Sequence, residues 1–352
     1  MRFTAVIAAA LAAVSCISLP SLDTGNKQTQ PDPETGSAPS FAKGADISWV
    51  TEMEGKSYSF YSSSGIPTEC TALMKELGCN AIRLRVWVNP SGGWCNKEDV
   101  LVKALRAKKQ GLAVMIDFHY SDSWADPGKQ NPPAAWKDMN VPEMATALAA
   151  HTKEVLQLLK DNKIDVAWVQ VGNETNTGMC WPNGSVSSSS AQGFVTLANA
   201  GYKAVKEVYP SALVIIHHSN AQEYAACEWF YNLIGGASYD MIGLSLYPSY
   251  WDNSISGYPD WTPYCSAAVE NFKKLNQKFK KPVMLVEFGM PASEPDKAKA
   301  ALQYVLDGVK GVDWFKGVFY WEPESEQSRN GYAYGAFKDG KSTGVIDIFK
   351  NY

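Results

Sequence analysis

A chain of 352 residues with 45% apolar and 19% charged residues is able to bury a large core, and that length suits one barrel-sized domain as well as two smaller ones. Thirty-two basic against thirty-six acidic residues leave a formal net charge of −4, which excludes a generally basic nucleic-acid footprint. No apolar run reaches the ~18 residues of a membrane-spanning helix, whereas 12 Trp and 17 Tyr supply a surplus of flat rings with polar handles.

The first fifteen residues read as a secretory signal peptide: Arg2, then the Ala-rich apolar run from Phe3 to Val14, then Ser15-Cys16. Cys16 lies where the apolar run stops, which suggests a lipoprotein-type signal cleaved before a lipid-carrying thiol, although Ala13 stands where Leu is usual. An ordinary signal cut nearby is the alternative. Residues 16–40 carry many Pro, Gly, Ser and Thr and few large apolar groups, a flexible tether in composition. Residues 41–352 are then the folded domain of an exported monomer, with a lipid on Cys16 as its one link to a membrane. The remaining Cys70, Cys79, Cys95, Cys180, Cys227 and Cys265 allow up to three disulfides. Cys95–Cys180 is the favoured bridge and six free thiols the alternative. No pair has C-x-x-C spacing, so no metal cluster is expected.

Eight short runs rich in β-branched and aromatic residues follow in order: GADISWV, AIRLRVWV, LAVMIDFHY, DVAWVQVGNE, ALVIIHHSN, MIGLSLYP, PVMLVEFG and GVFYWEP. They start near residues 44, 81, 112, 165, 212, 241, 282 and 317 and alternate with helical periods such as EDVLVKALRAKKQ and PEMATALAAHTKEVLQLLKDN. Alternating strands and helices indicate parallel β-α units, and eight of them predict a single (β/α)8 TIM barrel. The eighth unit is irregular: SEQSRNGYAYGAFKDGKSTG and a short VIDIFK replace a final helix.

Strand phase sharpens this. The second strand sets Arg83, Arg85 and Trp87 opposite Ile82, Leu84 and Val86, and the third sets Met115, Asp117 and His119 opposite Val114, Ile116 and Phe118. On the fourth, Trp168, Gln170, Gly172 and Glu174 oppose Ala167, Val169 and Val171. On the seventh, Val283, Leu285 and Glu287 are expected inward and Met284, Val286 and Phe288 outward. One face is apolar, as packing under helices requires, and the other turns polar toward the strand's C-terminal end, where barrels build their sites. A doubly wound sheet would be apolar on both faces.

Glu174 ends the fourth strand and Glu287 the seventh, both in phase with the inner face at one rim. Two carboxyl groups across a cleft, one protonated and one ionised, are what glycoside hydrolysis needs. Asp117, His119 and Asp122 have a superficial metal-site look, but rim hydrogen bonding accounts for them, and no metal or cofactor is assigned. His217 and His218 are adjacent, so one faces inward; His217 shares its face with Ser219.

The segments GCNAIRLRVWVNP, MIDFHYSDSWADPGKQ, VQVGNETNTGMCWPNG, MIGLSLYP, VEFG and GVFYWEP span nearly the whole folded region. In them the chain resembles the retaining glycosidases of clan A, and within it the arabinogalactan endo-β-1,4-galactanases of glycoside hydrolase family fifty-three. That resemblance implies an endo-acting hydrolase of β-1,4-galactan, with Glu174 as acid/base and Glu287 as nucleophile. It also implies that Asn173 meets the sugar 2-hydroxyl. Bacterial relatives can carry a calcium-binding insertion after strand seven; FGMPASEPDKAKAAL offers no such run of oxygen ligands, so calcium is not carried over.

Beside Glu287, Arg83 or Arg85 is expected to keep the carboxylate ionised, with Arg85 preferred as nearer the strand's end, and Tyr247 is placed to donate to it. Trp321 would floor the subsite of the attacked sugar, with Trp87, Trp124, Trp181 and Trp251 extending the groove and His119, Asp122 and His217 at the rim. The alternatives are another clan A β-glycanase, acting on mannan, xylan or β-glucan, and a catalytically dead sugar-binding barrel.

Overall fold

The computed structural model describes residues 38–248 and 260–352. The expected signal, Cys16, most of the tether and Trp251 lie outside the described residues.

Eight parallel strands close into a barrel: β1 (Ala42–Asp46), β2 (Ala81–Val86), β3 (Ala113–Phe118), β4 (Val166–Val171), β5 (Leu213–His218), β6 (Met241–Leu246), β7 (Val283–Phe288) and β8 (Phe315–Trp321). Each pairs with its sequence neighbours and β8 closes on β1, Asp46 lying opposite Trp321. Helices between the strands bury their apolar stripes on the outer wall. In the helix Val141–Asp161 these are Met144, Leu148, Val155, Leu156 and Leu159, and an Asn140–Glu143 capping box satisfies its first turn. The eighth unit is irregular, as expected: a one-turn helix, Gln327–Asn330, and a 3-10 helix, Ile346–Asn351, follow β8.

The barrel interior is stratified. Ala42, Ala81, Met115, Trp168, Ile215, Met241, Met284, Val286 and Phe319 fill the lower part as a separate apolar plug. Gly44 makes room for it, since a Cβ there would lie 2.1 Å from the Phe319 ring. Above the plug lies a polar layer of Asp46, Arg83, Asp117, Gln170, His217, Ser245 and Glu287, all buried.

Strand β7 departs from the simple alternation. Leu244 and Ser245 of β6 are consecutive, yet they pair with Leu285 and Glu287. A bulge at Val286 therefore resets the phase. Met284 and Val286 belong to the inner plug, while Val283, Leu285 and Phe288 pack outward. The expected faces of β7 are thus reversed below Glu287, and Glu287 itself reaches the inside because of the bulge. A similar irregularity in β4, where Val166 and Trp168 pair with Val114 and Met115, turns Ala167 inward.

The expected Cys95–Cys180 bridge is absent. All six described cysteines are free and buried, because the two loops hold their thiols against different backbone carbonyls. Cys95 Sγ lies 3.6 Å from Ser48 O and Cys180 Sγ 3.4 Å from Tyr120 O.

Candidate active site

Glu174 and Glu287 line one cleft of about 580 Å³ at the C-terminal mouth of the barrel, together with Asn173, His119, Trp124, Tyr247 and Trp321. The turn after β4 is shaped for this. Gly172 has φ +93°, and a Cβ there would lie 2.5 Å from Thr175 Cγ2. Glu174 itself sits in the left-handed region at φ 43°, ψ 57°, a conformation that a side chain other than glycine or asparagine seldom adopts.

Arg83 organises the floor of the cleft. Its Nε donates to Gln170 Oε1 at 2.7 Å and its Nη1 to Asp46 Oδ2 at 2.6 Å. Its Nη2 lies 2.8 Å from Glu287 Oε1, 3.0 Å from Asp117 Oδ2 and 3.0 Å from Asn173 Oδ1. The preference for Arg85 beside Glu287 is therefore corrected. Arg85, one layer higher on β2, donates instead to Glu322 Oε1 at 2.9 Å and lies 4.1 Å from the Trp124 ring centroid. A guanidinium that is to meet a rim carboxylate from beneath has to start a layer below it.

The second oxygen of Glu287 accepts the Tyr247 hydroxyl at 2.7 Å. Burial pushes the Glu287 carboxyl up, and Arg83 and Tyr247 pull it partly back. The arginine therefore moderates a raised carboxyl and does not depress it below the ordinary range. Burial also pushes Glu174 up, and the facing Glu287 adds to the rise. The direct partners Arg83 and Tyr247 belong to Glu287, so Glu287 ionises first and Glu174 keeps its proton to higher pH. In Asp117, Arg83 and His119 outweigh burial and bring the carboxyl down to about 2.

The other expected residues divide into two groups. His119 lines the cleft; its Nδ1 accepts from Ala125 N–H at 3.0 Å and its Nε2 lies 3.0 Å from Asp117 Oδ2. Asn173 lines it too, its Nδ2 donating to Ala125 O at 2.8 Å. Trp321 and Trp124 form an aromatic wall with ring centroids 5.9 Å apart. Trp87 stands behind that wall, edge-on to Trp124 at 5.1 Å and outside the cleft lining. Asp122 is a loop staple and not a rim ligand: its oxygens accept Asn89 N–H and Ala134 N–H, each at 2.9 Å. Trp181 donates to Thr177 O at 2.8 Å and, like His217 and Arg85, is not among the lining residues. His217 faces the polar layer under Glu174, and His218 points outward against Phe230.

Sequence reasoning missed Trp49, whose ring lies 5.3 Å from both Trp124 and Trp321, and Tyr332 and Tyr334 from the segment after β8. The GYAYG sequence, aromatic rings between glycines in a loop at the rim, was the available signal. It also missed Gln170, Ser245 and the buried pair Glu322 and Glu324.

The family model for glycosyl hydrolase family 53 matches residues 42–351, nearly the whole described fold. The chain belongs to glycosyl hydrolase family 53. Among curated proteins it is 32% identical over 312 residues to a probable arabinogalactan endo-β-1,4-galactanase A of Neosartorya fischeri, covering 80% of this chain and 83% of the relative. It is 28% identical over 306 residues to the arabinogalactan endo-β-1,4-galactanase A of Aspergillus niger, covering 80% and 84%. Among solved structures it superposes on a fungal β-1,4-galactanase with a TM-score of 0.79 at 26% identity, covering 88% of this chain and 98% of the other. Family membership thus agrees with the eight-stranded barrel.

Proposed function

We propose that this family 53 chain is a retaining endo-β-1,4-galactanase, cleaving internal bonds of β-1,4-galactan by double displacement. The observation that carries the reading is the pair itself. Glu174 and Glu287 come from the ends of β4 and β7 into one cleft, with Arg83 2.8 Å from Glu287 Oε1 and the Tyr247 hydroxyl donating to Glu287 Oε2 at 2.7 Å. That asymmetry supplies an ionised nucleophile and a protonated acid at the same pH.

In the first step Glu287 attacks the anomeric carbon. The bond from that carbon to the leaving oxygen breaks, and the oxygen takes the proton of Glu174. In the second, Glu174, now ionised, removes a proton from water, whose oxygen displaces Glu287 from the galactosyl-enzyme. Two inversions restore the original configuration. The Trp124–Trp321 wall offers apolar faces to the C–H patch of galactose, and the Asn173 amide borders the cleft where the 2-hydroxyl of the attacked sugar would lie.

We also propose export, with lipid on Cys16 as an anchor, on the strength of Arg2, the apolar run and the position of Cys16. No helix among the described residues is long and apolar enough to cross a membrane.

Product analysis on unbranched β-1,4-galactan tests the enzymatic reading. Short galacto-oligosaccharides appearing early, with the β-anomer first in the NMR spectrum, are expected. Galactose released only from chain ends, α-anomer first, or preferential cleavage of mannan, xylan or β-glucan would overturn it.

A further inference from the structure

The loop after β3 and the turn after β4 are stitched together around Glu174. Asp126 and Lys129 pair through their backbones in both directions at 2.9 Å, and Asp126, Pro127 and Gly128 of this tight hairpin line the cleft. Gln130 follows at once and is 1% exposed. Its carbonyl accepts the Trp181 N–H at 2.7 Å, and Thr177 Oγ1 donates to Pro127 O at 2.7 Å. The side-chain Nε2 of Gln130 donates to Asn173 O at 2.9 Å and to Glu174 O at 3.3 Å. Both partners are carbonyl oxygens, which only accept, so the NH2 end of the amide must face them.

Those two carbonyls belong to the peptides on either side of the Glu174 Cα. The first peptide is held at its other end too, because the Glu174 N–H donates to His217 Nδ1 at 3.2 Å. The orientation of the two peptide planes sets φ and ψ of Glu174, and with them the direction in which its side chain leaves the backbone. At φ 43° and ψ 57° that backbone is in the left-handed region, a conformation that persists only where the surroundings over-determine it. We infer that Gln130 is a positioning residue for the acid/base: its amide clamps the two peptides flanking Glu174 in the turn from which the carboxyl enters the cleft. This rests on Glu174 being the acid/base.

The test compares kcat/KM on two aryl β-galactobiosides, one releasing phenol and the other 2,4-dinitrophenol. Phenol needs a proton as it departs, whereas dinitrophenolate leaves without one, so only the first substrate reads the placement of the acid. Gln130→Leu keeps the bulk and removes the donor. It is expected to lose about 10–100-fold on the phenyl substrate, as a displaced catalytic group does, and to change little on the dinitrophenyl one. The ratio of the two is independent of how much of the sample is folded. Equal losses on both substrates, or no loss on either, overturn the inference. Nitrogen NMR of the unaltered enzyme tests the clamp without any variant: the Gln130 side-chain NH2 should exchange slowly with water, and free exchange would overturn it. Glu174→Ala separates the two levels. A loss confined to its phenyl substrate, beside an even response in Gln130→Leu, defeats the clamp alone; equal losses in Glu174→Ala defeat the acid/base assignment on which it rests.

Discussion

Tyr247→Phe removes one hydroxyl and leaves the ring that fills the space beside Gly289. The lost interaction is a 2.7 Å hydrogen bond to Glu287 Oε2, while Arg83 still holds Oε1 at 2.8 Å. A hydrogen bond to a charged acceptor contributes about 1.5–3 kcal/mol, and each pKa unit corresponds to about 1.4 kcal/mol. The donor stabilises only the ionised carboxylate, so its loss raises the Glu287 pKa by roughly one to two units. Turnover needs that group ionised. The acidic limb of kcat/KM should therefore move to higher pH by that amount, with the basic limb much less affected. Initial rates across the pH range on a soluble aryl β-galactobioside read both limbs. An acidic limb that stays in place or moves down would show that Glu287 does not depend on this hydroxyl, and the nucleophile's electrostatics would need another origin.

Arg83→Met leaves Asp46, Asp117 and Glu287 buried without their shared cation. Stranding buried charge costs about 3–5 kcal/mol, so urea unfolding should show a loss of that size; a loss under about 1 kcal/mol would mean that the ion cluster is not held as described. Burial, together with the neighbouring Glu322, raises the Glu324 carboxyl well above its ordinary 4.5. A raised acid binds its proton more tightly in the fold, so its stabilising contribution is present below about 4.5 and is lost as pH rises toward the folded value. Glu324→Gln should therefore exceed the parent in stability at pH 8, with the gap closing toward pH 4; equal denaturation midpoints at both pH values would refute this.

Much of the barrel was legible because strand alternation is a direct imprint of burial: Arg83, Arg85, Asp117 and His119 were placed on the inner face from period two alone. Strand β7 was not, since a bulge at Val286 leaves no mark in a run of apolar residues, and Glu287 was placed inward by a pattern that the plug below it reverses. Which of two inward arginines meets the nucleophile depends on barrel stagger and side-chain reach, neither of which a single strand records. Loop residues were harder still. Asp122 looked like a rim ligand and proved to cap two backbone amides, while Trp49 and Tyr332 gain their place only when distant loops fold together. Ser245 carries no sequence signal, because its place in the polar layer comes from its contact with His217 of the neighbouring strand.

The central claim is that Glu287 becomes covalently bonded to the sugar. Inactivation with an activated 2-deoxy-2-fluoro-β-galactobioside, which slows the second displacement more than the first, followed by peptide mass spectrometry, tests it directly. The account predicts a single fluoroglycosyl adduct on the peptide carrying Glu287. A label on any other carboxylate, or complete hydrolysis without a trapped adduct and with inverted product, would contradict it.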